Sequence, residues 1–185
     1  SSAASDVYKR QLWGDIPIVL CSEENYLGPQ ETYTKKQAIA TADRTPLTQL
    51  ADPYNMVLLY SNLYLDENIQ LICHIVPEIK KFIFIGDARQ INQTNNLDIR
   101  NKLKKTHPNV EYQFITPQDM TTNQLLDSLY FVDPKTTGVL FSSWFYKTTF
   151  AGNTSLVSNA HKLIGTTAAP YSLSIWRTSP KKTAE

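Results

Sequence analysis

The chain is poor in the residues that announce chemistry. It has two cysteines, Cys21 and Cys73, in the apolar contexts IPIVLC and IQLICHIVP, and neither belongs to a CxxC. Each is therefore expected to be a buried thiol rather than a metal ligand or a redox centre. Its six glycines form neither GxGxxG nor a Walker A loop, and IGDARQINQ, with one glycine, cannot cradle a pyrophosphate; this argues against a dinucleotide-binding oxidoreductase. The three histidines His74, His107 and His161 fall on separate predicted elements without HxxxH or HxxE spacing, so no metal site is expected. FSSWF places serines after a strand but lacks the GxSxG elbow of acyl-transfer enzymes.

Charge of one sign is also missing. Lys and Arg number 18 and Asp and Glu 17; setting aside Lys9, Arg10 and Asp6 of the first eleven residues brings the two into balance. Without a basic stripe the footprint of a nucleic-acid binder is absent, and Lys102, Lys104 and Lys105 read as the solvated face of a helix. No apolar run approaches the roughly 20 residues that span a bilayer.

The opening SSAASDVYKRQ, Ser1 to Gln11, back-translates in one frame to a sequencing-library adapter ending in a transposon mosaic end. It is set aside as one sets aside a fusion scar. The expectation that follows is a chain truncated at its N-terminus.

What the sequence does contain is alternation. IPIVLC (Ile16 to Cys21), FIFIGD (Phe82 to Asp87) and TGVLFSSW (Thr137 to Trp144) read as strands covered on both faces. MVLLYS (Met56 to Ser61), VEYQFIT (Val110 to Thr116) and PYSLSIW (Pro170 to Trp176) are weaker strands of the same kind. Helical spacing covers Asn68 to Lys80, Leu97 to Pro108, Thr121 to Val132 and Asn153 to Thr167. Ser22 to Asp52 is polar and aperiodic, with one short helix expected around Lys35 to Thr41. From Asn68 onward helix and strand alternate at roughly 25 to 35 residues per unit, which predicts an α/β fold built of βαβ crossovers around an open parallel sheet.

In such sheets ligands bind beyond the carboxyl ends of the strands, where the strand order reverses. Those ends present Ser22, Glu23 and Asn25; Ser61 and Asn62; Asp87 and Arg89; Ser142, Ser143, Trp144 and Tyr146; and Trp176. Hydrogen-bonding groups beside aromatic faces suit a small polar ligand, with Trp144 as a stacking wall and Ser61, Asp87, Ser142 and Ser143 as polar contacts. Equally, Trp144 and Trp176 could close the edge of the core. A phosphoacceptor site would use Asp87 but needs an acidic pair at the end of the first strand; Glu23–Glu24 has the wrong spacing.

IPIVLCS with its polar loop, followed by TPLTQLADPYNMVLLYSNLYLDENIQLICHIVPEIKKFIFIGD, resembles the periplasmic-binding-protein class. It looks closest to the ABC-type sugar- or substrate-binding domains that precede bacterial sensor and hybrid histidine kinases. LLDSLYFVDPKTTGVLFSSWFYKTTFAGNTSLVSNAHKLIGTTAAPYSLSIW resembles the same family. The likeness rests on the order of elements rather than on a catalytic signature. It implies type I lobes, the second complete over residues 68–176 and the first a remnant over 12–67, with 177–185 as a tail. It further implies a non-catalytic, extracytoplasmic ligand-sensing domain that closes on a small polar ligand, carbohydrate at family level, and signals to a histidine kinase. No cofactor is expected, a homodimer is expected of the full-length sensor, and membrane attachment would come from segments outside this chain. A substrate-binding protein serving an ABC transporter is one alternative. A flavodoxin-like or hydrolase-type enzyme using FSSW is the other.

Overall fold

The computed structural model describes residues 16–51, 55–60 and 64–144, and the backbone of 172–174. The described residues group into two compact units. Those up to Pro29 and from Thr41 through Tyr60 form the first; Gln30–Ala40 and those from Tyr64 onward form the second.

In the first unit, β1 (Ile18–Ser22) pairs in parallel with β4 (Met56–Tyr60), Ile18 opposite Met56 and Ser22 opposite Tyr60. A short antiparallel pair, β2 (Tyr26–Leu27) with β3 (Thr45–Pro46), lies between them in sequence. The helix α2 (Leu47–Ala51) follows β3 directly and packs against β4. Its first residue, Leu47, is buried and donates its N–H to the Asn25 carbonyl at 2.9 Å. The Arg44 guanidinium stacks 4.7 Å from the centre of the Tyr26 ring. Side chains of β1 and β4 alternate, so Ile18, Leu20, Met56 and Leu58 are half-buried while Val19, Val57 and Leu59 are exposed. Cys21 falls on the exposed side. The expectation of a strand covered on both faces and of a buried Cys21 is thereby corrected: one face of this two-stranded sheet meets solvent. Cys73 is half-buried.

The second unit is a parallel α/β sheet. Helix α3 (Leu65–Ile75) leads into β5 (Lys81–Ile85), α4 (Gln90–Thr106) into β6 (Glu111–Ile115), α5 (Thr122–Tyr130) into β7 (Thr137–Phe141), and β8 (Ser172–Ser174) completes a sheet of order β6-β5-β7-β8. Phe82, Phe84 and Leu140 point to one face and meet Ile69 and Ile72 of α3 and Ile99 and Leu103 of α4. Ile83, Ile85, Ile115, Val139 and Phe141 point to the other and meet Leu125 and Leu129 of α5. The rings of Phe84 and Phe114 stack 5.1 Å apart. Gly138 is the point where α3 comes closest, since a methyl group there would collide with Cγ2 of Ile72.

The boundaries of the helices have local causes. α5 starts on a capping box: Gln124 donates its N–H to the Thr121 hydroxyl, and Thr121 donates its N–H to the Gln124 side chain at 2.9 Å. α3 ends before Pro77, which has no N–H to continue it. α4 is longer than the periodicity from Leu97 implies, because it begins seven residues earlier with the polar run QINQTNN. The expected helix around Lys35 to Thr41 is displaced: α1 spans Gln30–Thr34 and a single 3-10 turn spans Thr41–Asp43. The predicted helix Asn153 to Thr167 lies outside the described residues.

Candidate switch-point site

The strand order decides where a site can form. β5 has β6 on one side and β7 on the other, reached by helices on opposite faces. The chain therefore reverses its direction of travel between β5 and β7, the kind of place where open α/β sheets bind ligands. The residues at this point are Gly86, Asp87 and Arg89 after β5, Asn92 on the first turn of α4, and Ser142 and Ser143 after β7.

They form one hydrogen-bonded network centred on a buried carboxylate. Asp87 is 2% exposed. Its Oδ1 accepts the backbone N–H of Arg89 at 2.9 Å, Nε of Arg89 at 3.0 Å and Nδ2 of Asn92 at 2.8 Å. Its Oδ2 accepts Nε of Arg89 at 2.9 Å and the Ser143 hydroxyl at 2.7 Å. Asn92, wholly buried, also donates to Ser143 Oγ at 2.9 Å and accepts the Ser142 hydroxyl on Oδ1 at 2.8 Å. The amide of Ser142 donates to the Ile85 carbonyl at 2.9 Å, extending the β5–β7 ladder one residue beyond the strands. Gly86 lets α4 approach: a Cβ there would stand 3.0 Å from Cγ of Asn92 and 3.2 Å from the Phe114 ring.

Electrostatics follow from this geometry. Burial by itself pushes the Asp87 carboxyl up, but the hydrogen bonds from Arg89 and Ser143 and the charge of Arg89 together outweigh it and hold the group below the usual carboxylate range. The Arg89 side chain is 45% exposed against 3% for that of Asp87, so the pair runs from the interior to the surface. Asp87 is a weak base in this setting. Both serine hydroxyls donate to oxygen acceptors and, among the described residues, neither is paired with an imidazole. His107 instead lies beside Thr106 Oγ1 at 2.8 Å and Cys73 Sγ at 4.0 Å. No group of three or more His, Cys, Asp or Glu among the described residues could hold a metal ion.

Of the residues singled out from sequence, the structure brings Asp87, Arg89, Ser142 and Ser143 together. Trp144 follows directly, but its indole is packed in the core with Ile83, Ile85, Leu125 and Phe141, and its N–H is held by Thr122 Oγ1 at 3.0 Å. The stacking face expected of it is thus occupied by core side chains. Ser22 ends β1 and Glu23 follows it in the first unit, where Ser22 Oγ caps the amide of Glu24 at 3.1 Å. Ser61, Asn62, Tyr146 and Trp176 lie outside the described residues. Asn92 escaped the sequence reading, which began the helix at Leu97; an asparagine five residues after an aspartate that ends an apolar strand was the available signal.

Compared with protein-family models, with curated proteins and with solved structures, the chain matches none of them. Among the described residues no helix is long and apolar enough to cross a membrane.

Proposed function

We propose that this chain is a non-catalytic ligand-sensing domain of the periplasmic-binding kind, with type I lobes, that takes a small polar ligand at the carboxyl edge of β5 and β7. The observation that carries the reading is the Asp87–Arg89–Asn92–Ser143 network at the reversal of strand order. Its members are locked by one another, as a preorganised binding surface requires. We take Arg89 as the ligand-facing member, because its side chain is the exposed one of the network and its Nε is already oriented by Asp87. Arg forks suit vicinal hydroxyls and carboxylates alike, and the resemblance to sugar-binding sensor domains favours carbohydrate. Extracytoplasmic placement and signalling to a histidine kinase rest on that resemblance. A transporter's substrate-binding protein would use the same site and differ in its partner. The saturated serines and the weakly basic Asp87 weigh against the hydrolase reading.

Calorimetric titration of the whole chain with a panel of monosaccharides, disaccharides, amino acids and nucleosides tests this. One class is expected to bind, with Arg89→Ala weakening it at least about tenfold, the scale of a lost charge-assisted hydrogen bond. Binding unaffected by Arg89→Ala, or turnover abolished by a Ser142→Ala, Ser143→Ala double variant, would refute it.

A further inference from the structure

The hydrogen bonds of the switch-point network run in one direction. Asp87, held below the usual carboxylate range, is ionised at neutral pH, and an ionised carboxylate only accepts hydrogen bonds. Asn92 must therefore turn its amide nitrogen toward Asp87, since a carbonyl oxygen 2.8 Å from Oδ1 would set two acceptors against each other. The same nitrogen gives its second proton to Ser143 Oγ at 2.9 Å, and the Ser143 hydroxyl donates in turn to Asp87 Oδ2 at 2.7 Å.

With the amide fixed this way, Asn92 Oδ1 faces Ser142, and the Ser142 hydroxyl has to donate to it, at 2.8 Å. That commits the one proton the hydroxyl carries. Ser142 Oγ keeps its lone pairs for an incoming donor, and Ser142 is half-buried where Asp87, Asn92 and Ser143 are buried. Asp87 is out of a ligand's reach, because it is 2% exposed and both its oxygens already accept from its neighbours. The Arg89 side chain, 45% exposed, carries donors and no acceptor. The open edge of the network thus offers one oriented acceptor, Ser142 Oγ, and one cationic donor, Arg89.

We infer that this edge selects ligands by their hydroxyl groups, taking a neutral polyol over carboxylates, phosphates and amines, with Ser142 as the residue that discriminates. The inference rests on the ligand site proposed above and names what that site accepts. A hydroxyl both donates and accepts, so neighbouring hydroxyls satisfy Ser142 Oγ and Arg89 together. A carboxylate or an ionised phosphate satisfies Arg89 but sets its oxygens against the Ser142 lone pairs, leaving that acceptor unpaired. An ammonium satisfies Ser142 but finds no open carboxylate in the network to offset its lost hydration. Asp87 is thereby a positioning residue: its charge orients Asn92, Asn92 orients Ser142, and Ser142 reads the ligand.

Two measurements on the whole chain test this. Side-chain amide exchange followed by NMR reads the direction of the network without any ligand. The Asn92 Nδ2 protons should be protected, and Ser143→Ala should speed their exchange about fivefold, the factor for one ordinary hydrogen bond. Ser142→Ala should leave them unchanged; acceleration by Ser142→Ala and not by Ser143→Ala means a reversed amide and overturns the inference. Calorimetric titration reads selection, with D-glucose and D-galactose against D-glucuronate, D-galacturonate and L-alanine as probes. A neutral sugar should bind at least about tenfold tighter than its uronate. Ser142→Ala should narrow that gap, and Ser142→Thr, which keeps the hydroxyl, should preserve it. Equal or tighter binding of a uronate or of L-alanine overturns the selection while the site stands, as does a gap that Ser142→Ala leaves intact. Sugar binding that Arg89→Ala does not weaken refutes the site itself, and no sugar binding at all overturns the polyol.

Discussion

β1 and β5 are both five-residue strands, IVLCS and KFIFI, and both pair in parallel. Yet Val19 is 63% exposed and Phe84 is wholly buried. The difference lies in what surrounds each strand. β5 has a strand on either side and helices over both faces. β1 has β4 alone beside it among the described residues, and only the Ile18 and Leu20 side of the pair is covered. An apolar run specifies a strand, but neighbouring layers decide whether that strand becomes core. The same comparison explains why the polar site forms in the second unit. A buried carboxylate tolerates desolvation only inside a scaffold rigid enough to hold three partners on it, and β5 supplies that scaffold.

The contrast can be broken most strongly at its buried end. Phe84→Ala should cost about 3–5 kcal/mol, the range for emptying a packed aromatic site, while Val57→Ala in β4 should cost less than about 0.5 kcal/mol, as for an exposed position. Denaturant midpoints of the two variants measure the gap, and equal losses would contradict the assignment of the core to the second unit.

Asp87→Asn should come next, at about 2 kcal/mol near neutral pH, the scale of hydrogen bonds to a charged group. The carboxyl is held below its ordinary value in the folded chain, so its contribution is fully present above the ordinary aspartate range and is lost as the pH falls through about 4 and below. Stability curves of the parent and variant should therefore converge on acidification, and parallel curves would refute the assignment. Thr121→Ala comes third, above only Val57→Ala. Removing one side of the α5 capping box should cost about 1 kcal/mol, and urea titration should show it with an unchanged slope.

Much of this fold was legible in advance. The strands read from Phe82, Thr137, Val110 and Met56 coincide with β5, β7, β6 and β4 to within a few residues, because each is a short apolar run ending in a polar turn. The site was legible as far as strand ends could take it, reaching Asp87, Arg89, Ser142 and Ser143. Asn92 was hidden because Gln90 to Asn96 has the composition of a loop, and only its tertiary partners make it helix. Trp144 misled for the opposite reason: next to a polar strand end an indole looks available for stacking, but the pleat turns it under α5. The β2–β3 pair was missed because two-residue strands carry no periodicity.

The anchoring of Trp144 has an optical consequence. Its indole is buried and hydrogen-bonded to Thr122, one residue from the serine whose hydroxyl rests on Asp87. It is thus a built-in fluorophore with a fixed transition dipole, positioned where a disturbance of the β5–β7 edge would alter its emission. Replacing Trp13 and Trp176 by phenylalanine would leave that single reporter, so events at the switch point could be followed by light without attaching a label.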